Sequence, residues 1–155
     1  MRFFRLFLTI AVATITTLAT GCDKPDVNRQ TEQTKAVTYY TIDGAWELTE
    51  LNDKALEAGT QLYISFDRKE HRFELWDNFD SMYFTKEAGE FVIEQDEYER
   101  YILSGWYDYG VGDWAQDYIV NMTILGDYMQ WQGMSKSEKM LFKKIDDIPD
   151  NLTTK

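Results

Sequence analysis

From residue 41 to residue 146 the chain advances in steps of two. Trp46 and Leu48 share a face against Glu47 and Thr49, and Leu62, Ile64 and Phe66 alternate with Tyr63 and Ser65. Phe73, Leu75, Asp77 and Phe79 take one side of the next run, with Arg72, Glu74 and Trp76 on the other. Later runs centre on Phe91 and Ile93, on residues 100 to 107, on Val120, Met122 and Ile124, and on Met129 and Trp131. The last sets Met140 and Phe142 against Leu141, Lys143 and Ile145. Successive strand residues point to opposite sheet faces, so this periodicity predicts half-buried strands. Asp67-Arg68-Lys69-Glu70 and Gly126-Asp127 supply turns, and the spacing of the runs suits an up-and-down meander. One short helix candidate remains, Asn52 to Ala58. An open antiparallel sheet of seven or eight strands leaves bare edges, and closure removes them. The predicted fold is all-β: an antiparallel up-and-down β-barrel of about eight strands. A barrel of that size is filled by its side chains or holds one small ligand.

The N-terminus has a different texture. Arg2 and Arg5 precede an apolar stretch from Leu6 to Leu18, which leads to Ala19-Thr20-Gly21-Cys22. A charged start, a short apolar middle and small residues before a cut make a secretory signal. The stretch is shorter than the roughly 20 residues of a bilayer-spanning helix. Cys22 is the single cysteine of the chain. The segment resembles a bacterial lipoprotein signal, which implies cleavage before Cys22 and acylation of its thiol. Ala19 stands where that pattern prefers leucine, and Leu18 comes one place early. The rival, a plain cleaved signal, would leave an odd free thiol in an oxidising compartment. The expected organisation is a signal at 1–21, a lipidated N-terminus and flexible tether at 22–40, a barrel at 41–147 and a tail at 148–155. The expected address is the cell envelope, lipid-anchored, with the outer membrane favoured and its face left open. The tether is poor in apolar residues and reads as disordered. As a coil it would reach roughly 20–25 Å.

Without residues 1–21 the chain keeps 134 residues, 14 of them basic and 27 acidic, for a net charge of −13. That is one small domain with enough material for a core without disulfides. Such a surface repels nucleic acid and anionic head groups and favours cationic partners, although solubility alone accounts for it.

Three segments carry a family likeness. They are Gly44-Ala45-Trp46-Glu47-Leu48, then Phe73-Glu74-Leu75-Trp76, then Leu103-Ser104-Gly105-Trp106-Tyr107-Asp108-Tyr109-Gly110 leading to Trp114 and Tyr118. The first resembles the Gly-x-Trp opening strand of lipocalins. Together they resemble the lipocalin-like lipoproteins common in Bacteroidetes, over roughly residues 42 to 146. Tyr109, Val111 and Gly112-Asp113 make the third loop longer than that family's usual form. The resemblance implies an eight-stranded, calycin-type meander barrel and, for the most part, no assigned activity. Classical lipocalins imply small hydrophobic ligands, but a ligand's identity does not travel with a fold.

No catalytic constellation is present. His71 is the single histidine and falls beside a hairpin turn, where a surface role is the favoured reading. There is no Gly-x-Ser-x-Gly elbow, zinc-binding histidine pair or phosphate-binding glycine loop. Glu94, Asp96, Glu97 and Glu99, and likewise Asp108, Asp113 and Asp117, gather around turns without the spacing of a calcium loop. They read as solvated turns. No cofactor, metal or enzymatic activity is expected.

The chain holds 5 Trp, 10 Tyr and 9 Phe. Trp46, Phe66, Phe73, Phe91, Trp131 and Phe142 lie on apolar rows and read first as core. Tyr63 and Trp76 lie on the polar row, side by side in one hairpin register. Trp106, Tyr107, Tyr109 and Trp114 form an aromatic, glycine-bearing stretch that serves either as a plug or as a recognition surface at a barrel mouth. The candidate ligand-binding residues are Trp46, Phe73, Trp106, Tyr107, Trp114 and Trp131. The expected function is non-catalytic binding of a small apolar or amphipathic ligand. The alternative is a protein-interaction or inhibitor module meeting a cationic partner. The expected partners are thus a membrane, through lipid on Cys22, a small hydrophobic ligand and a cationic protein, with no nucleic acid.

Overall fold

A computed structural model describes residues 34–79 and 81–153. The signal, Cys22 and the first part of the tether lie outside the described residues. Eight strands close an antiparallel barrel: β1 (Gly44–Leu51), β2 (Leu62–Asp67), β3 (Arg72–Asp77), β4 (Thr85–Gln95), β5 (Tyr101–Tyr107), β6 (Tyr118–Thr123), β7 (Tyr128–Gly133) and β8 (Lys139–Ile145). Each pairs with its chain neighbour, and β8 returns to β1 through Trp46↔Lys144 and Leu48↔Phe142. The expected meander is therefore the observed fold. In the β2–β3 hairpin Phe66 faces Phe73 and Ile64 faces Leu75 on the inside. Tyr63 faces Trp76 on the outside, in the register that places the turn after Asp67. Within that turn the Asp67 carboxylate accepts N–H groups of Lys69 and Glu70, which hold its pKa below the usual carboxylate range.

The inward rows meet in one core. Trp46, Ile64, Phe73, Leu103, Val120, Met122 and Met129 are each 0% exposed. One end of the barrel is shut by α1 (Tyr39–Ile42), which a capping box opens. Thr38 Oγ1 accepts the Thr41 N–H, and Thr41 Oγ1 accepts the Thr38 N–H at 2.8 Å. Gly44 turns the chain from this helix into β1 with φ of 101°, in the region that favours glycine. The Trp46 indole N–H then donates to the Ile42 carbonyl at 2.7 Å, fastening the plug to the first strand. Tyr39 completes the closure, stacked on His71 at 3.9 Å and donated to by the Ile93 N–H. His71 is thus the exposed turn residue expected, with an aromatic neighbour that sequence did not show.

Three local expectations are corrected. Asn52 to Ala58 is no helix: Asn52 and Asp53 adopt φ of 53° and 62°, a tight turn that pairs Leu51 with Lys54. Asparagine and aspartate tolerate that left-handed pair better than other non-glycine residues. Ile124, placed on an inward row, sits in the β6–β7 turn and is exposed. Tyr63 and Trp76 are buried despite facing outward. They form a second, outer cluster with Ala45 and Ile148, packed by Phe84, Ile145 and Leu152. The C-terminal segment, ending in α2 (Asp150–Thr153), reaches back over the barrel wall. At the other end of the domain, residues 34–40 carry structure: Thr34–Lys35 pairs with β6, and Val37 is buried in the core.

Candidate functional site

The barrel end opposite α1 is open. It is framed by the β3–β4, β5–β6 and β7–β8 connections and by the start of β2. A cavity of about 440 Å³ enters there, within the size range of ligand pockets. Its floor is aromatic. Trp114 and Trp131 stack at 5.4 Å, and Trp131 meets Phe142 at 4.8 Å and Tyr118 at 5.2 Å. The indole N–H groups of Trp114 and Trp131 are buried without an acceptor among the described residues. What those indoles offer a ligand is ring surface.

The β5–β6 loop owes its position to specific residues. Arg72 pairs with Asp108 at the loop's start. Further on, the Trp114 backbone N–H donates to the Gly105 carbonyl at 2.8 Å. The ring then lies against Gly105, where a Cβ would come within 2.4 Å of it. Glycine in this strand therefore marks a close approach. Buried Gln116 ties the loop to its neighbour. Its Oε1 accepts the Lys136 N–H at 2.7 Å and the Ser135 N–H at 3.1 Å. Its Nε2 donates to Glu138 Oε2, which also accepts the Tyr118 hydroxyl at 2.8 Å.

Burial and that bond to Glu138 push the Tyr118 phenol far above its ordinary pKa. Burial, then the charges of Glu87 and Asp77, raise that of Tyr107. Both tyrosines are neutral hydroxyls at any physiological pH. The mouth carries Asp77, Glu87 and Glu138, and among the described lining residues there is no lysine or arginine.

Of the residues expected from sequence, the structure brings Tyr107, Trp114 and Trp131 to one cavity. Phe73 lies behind it, edge-on to Trp114 at 5.0 Å and to Tyr107 at 5.7 Å. Trp46 sits in the closed half against the α1 carbonyl. Trp106 faces the outside, 40% exposed, on the opposite row from Gly105 and Tyr107. Cys22 lies outside the described residues. Sequence reasoning passed over Tyr118, Glu138, Glu87 and Phe142 as site residues. Their signal was two-residue stepping: Glu138 precedes Met140 and Phe142, and Glu87 precedes Gly89 and Phe91 on an inward row. The acidic turns have local roles. Asp96 accepts the Tyr98 and Arg100 N–H groups and pairs with the Arg100 guanidinium, which lowers its pKa.

Compared with protein-family models, with curated proteins and with solved structures, the chain matches none of them.

Proposed function

We propose that this protein is a lipid-anchored, lipocalin-like barrel that binds a small apolar or amphipathic molecule in its open end and performs no chemistry on it. The cavity of about 440 Å³ over Trp114, Trp131 and Phe142 carries this reading. A concave, aromatic-floored space with a few polar groups at its rim is the usual form of a small-molecule site. The lipocalin likeness draws support from Gly44-Ala45-Trp46, whose indole fastens the plug at the closed end. The resemblance of the N-terminal segment ending at Cys22 to a lipoprotein signal supports an anchor on a membrane of the cell envelope, with the outer membrane favoured. In that setting a tethered barrel holds or hands over a compound close to the bilayer.

The test is native mass spectrometry of the domain purified from its own host. The expected result is a retained small molecule, lost on unfolding. A domain that always arrives bare and takes up no apolar probe refutes the reading. A second reading, a protein-binding module, draws on the β5–β6 loop, where Tyr109 is fully exposed and Val111 is 72% exposed. It predicts salt-sensitive capture of a cationic protein with the cavity left empty.

A further inference from the structure

We propose that the ligand is an organic cation: an apolar or aromatic body bearing an amine or quaternary ammonium head. This rests on the reading of the cavity as a ligand site and adds the charge of its occupant. Two independent features of the cavity point the same way.

The first is the sign of its polar groups. Asp77 and Glu87 lie on neighbouring strands, on the same inward face. Leu75 stands opposite Glu87 in register, and Asp77 is two residues along β3. That diagonal spacing is about 7–8 Å in an antiparallel pair. Tyr107 stands opposite Gly89, two residues along the strand from Glu87, and lines the same cavity as both carboxylates. Glu138 reaches the same space from the β7–β8 connection, held by Tyr118 and Gln116. Among the described residues none of the three carboxylates forms an ion pair. An anionic head would meet three like charges there. A cationic one would supply the counter-charge that the protein does not.

The second is the floor. Ring faces carry the negative side of an aromatic quadrupole, and cations within about 6 Å of a ring centroid are attracted to it. Trp114, Trp131, Tyr107 and Tyr118 all line the cavity. Trp131, which joins Trp114 to Phe142, is on β7, and Trp114 is held by Gly105. The aromatic surface is therefore largely preformed, and little of the binding free energy goes into ordering it.

The experiment compares three probes of equal chain length below their micelle concentrations: decyltrimethylammonium, decanol and decyl sulfate. Binding to the soluble domain is followed by tryptophan fluorescence and calorimetry. The expected order is cation over alcohol over sulfate, with the cation roughly tenfold or more tighter than the alcohol. Glu87→Gln and Glu138→Gln are each expected to lower the ratio of cation to decanol affinity several-fold, with far-ultraviolet circular dichroism and thermal unfolding reporting the fold. Glu97→Gln, in the exposed β4–β5 turn at the closed end, is expected to change neither. If decanol equals the cation, the charge inference fails while the cavity reading stands. If no probe binds, both fail. A loss in Glu97→Gln equal to that in Glu87→Gln overturns the inference too, because the attraction then belongs to the acidic chain as a whole.

Discussion

Gly105→Ala isolates the contact that builds the cavity floor. The new Cβ would lie 2.4 Å from Trp114 Cε2 and 2.7 Å from its Cδ2 and Cζ2, against an ordinary contact of 3.4–4 Å. Either the ring or the strand must therefore give by about 1 Å. The ring has little room: Trp131 stacks on it at 5.4 Å and Phe73 meets it at 5.0 Å. Overpacking a core by one methyl costs about 1–3 kcal/mol, and a rigid ring with packed neighbours belongs at the upper end. Removing a glycine from a strand returns roughly 0.5–1 kcal/mol of backbone entropy. The net loss is about 2 kcal/mol, or roughly 6–10 °C in Tm for a domain of this size. Urea and thermal unfolding measure it, with near-ultraviolet circular dichroism reporting the Trp114–Trp131 pair. Trp114→Leu in the same background relieves the clash, so the double variant should lose at least about 1 kcal/mol less than the sum of the singles. If Gly105→Ala unfolds within about 0.5 kcal/mol of the parent, or the two changes add, Trp114 is not held by that glycine.

Two further outcomes are expected. Tyr63, Tyr107 and Tyr118 have native pKa values above the ordinary phenol value of 10.0, each chiefly through burial. The stability this lends is complete below the unfolded value near pH 10 and is lost as pH rises toward the native values. In an alkaline titration by phenolate absorbance these three should ionise at higher pH than an ordinary phenol, and ionisation of all 10 tyrosines together near pH 10 would contradict their burial. Cys22→Ser should move the protein from the membrane fraction to the soluble periplasmic fraction. The domain's unfolding free energy should stay within about 0.5 kcal/mol, since the core residues described run from Val37 to Leu152. If the released variant still complements a deletion fully, the anchor serves only as an address.

The alternation of Leu62, Ile64 and Phe66 or of Phe73 and Leu75 was enough to assign faces, because a strand has one residue per side in every two. With six or more such runs and few other elements, the meander followed. Closure was an inference from the cost of bare edges, and the β8–β1 register bears it out. Glycines at 105 and 89 carried no message by themselves. Only in three dimensions does Trp114 press on one, and the Trp106 carbonyl and the Phe73 ring on the other, where a Cβ would lie 2.0 Å and 2.8 Å from them.

What the sequence determined alone was therefore the class of fold, the inward rows and the stretch rich in aromatics. The tertiary structure decided which of those aromatics form a site. Trp106 and Tyr107 are neighbours in the chain, yet one faces solvent and the other the cavity. Trp131 and Trp114 are far apart in sequence and stack. Glu138, Glu87 and Asp77 come from separate connections and strands to one mouth. Local periodicity fixes the side a residue takes. Which residues meet depends on strand register and barrel curvature, and these are settled by contacts between distant parts of the chain.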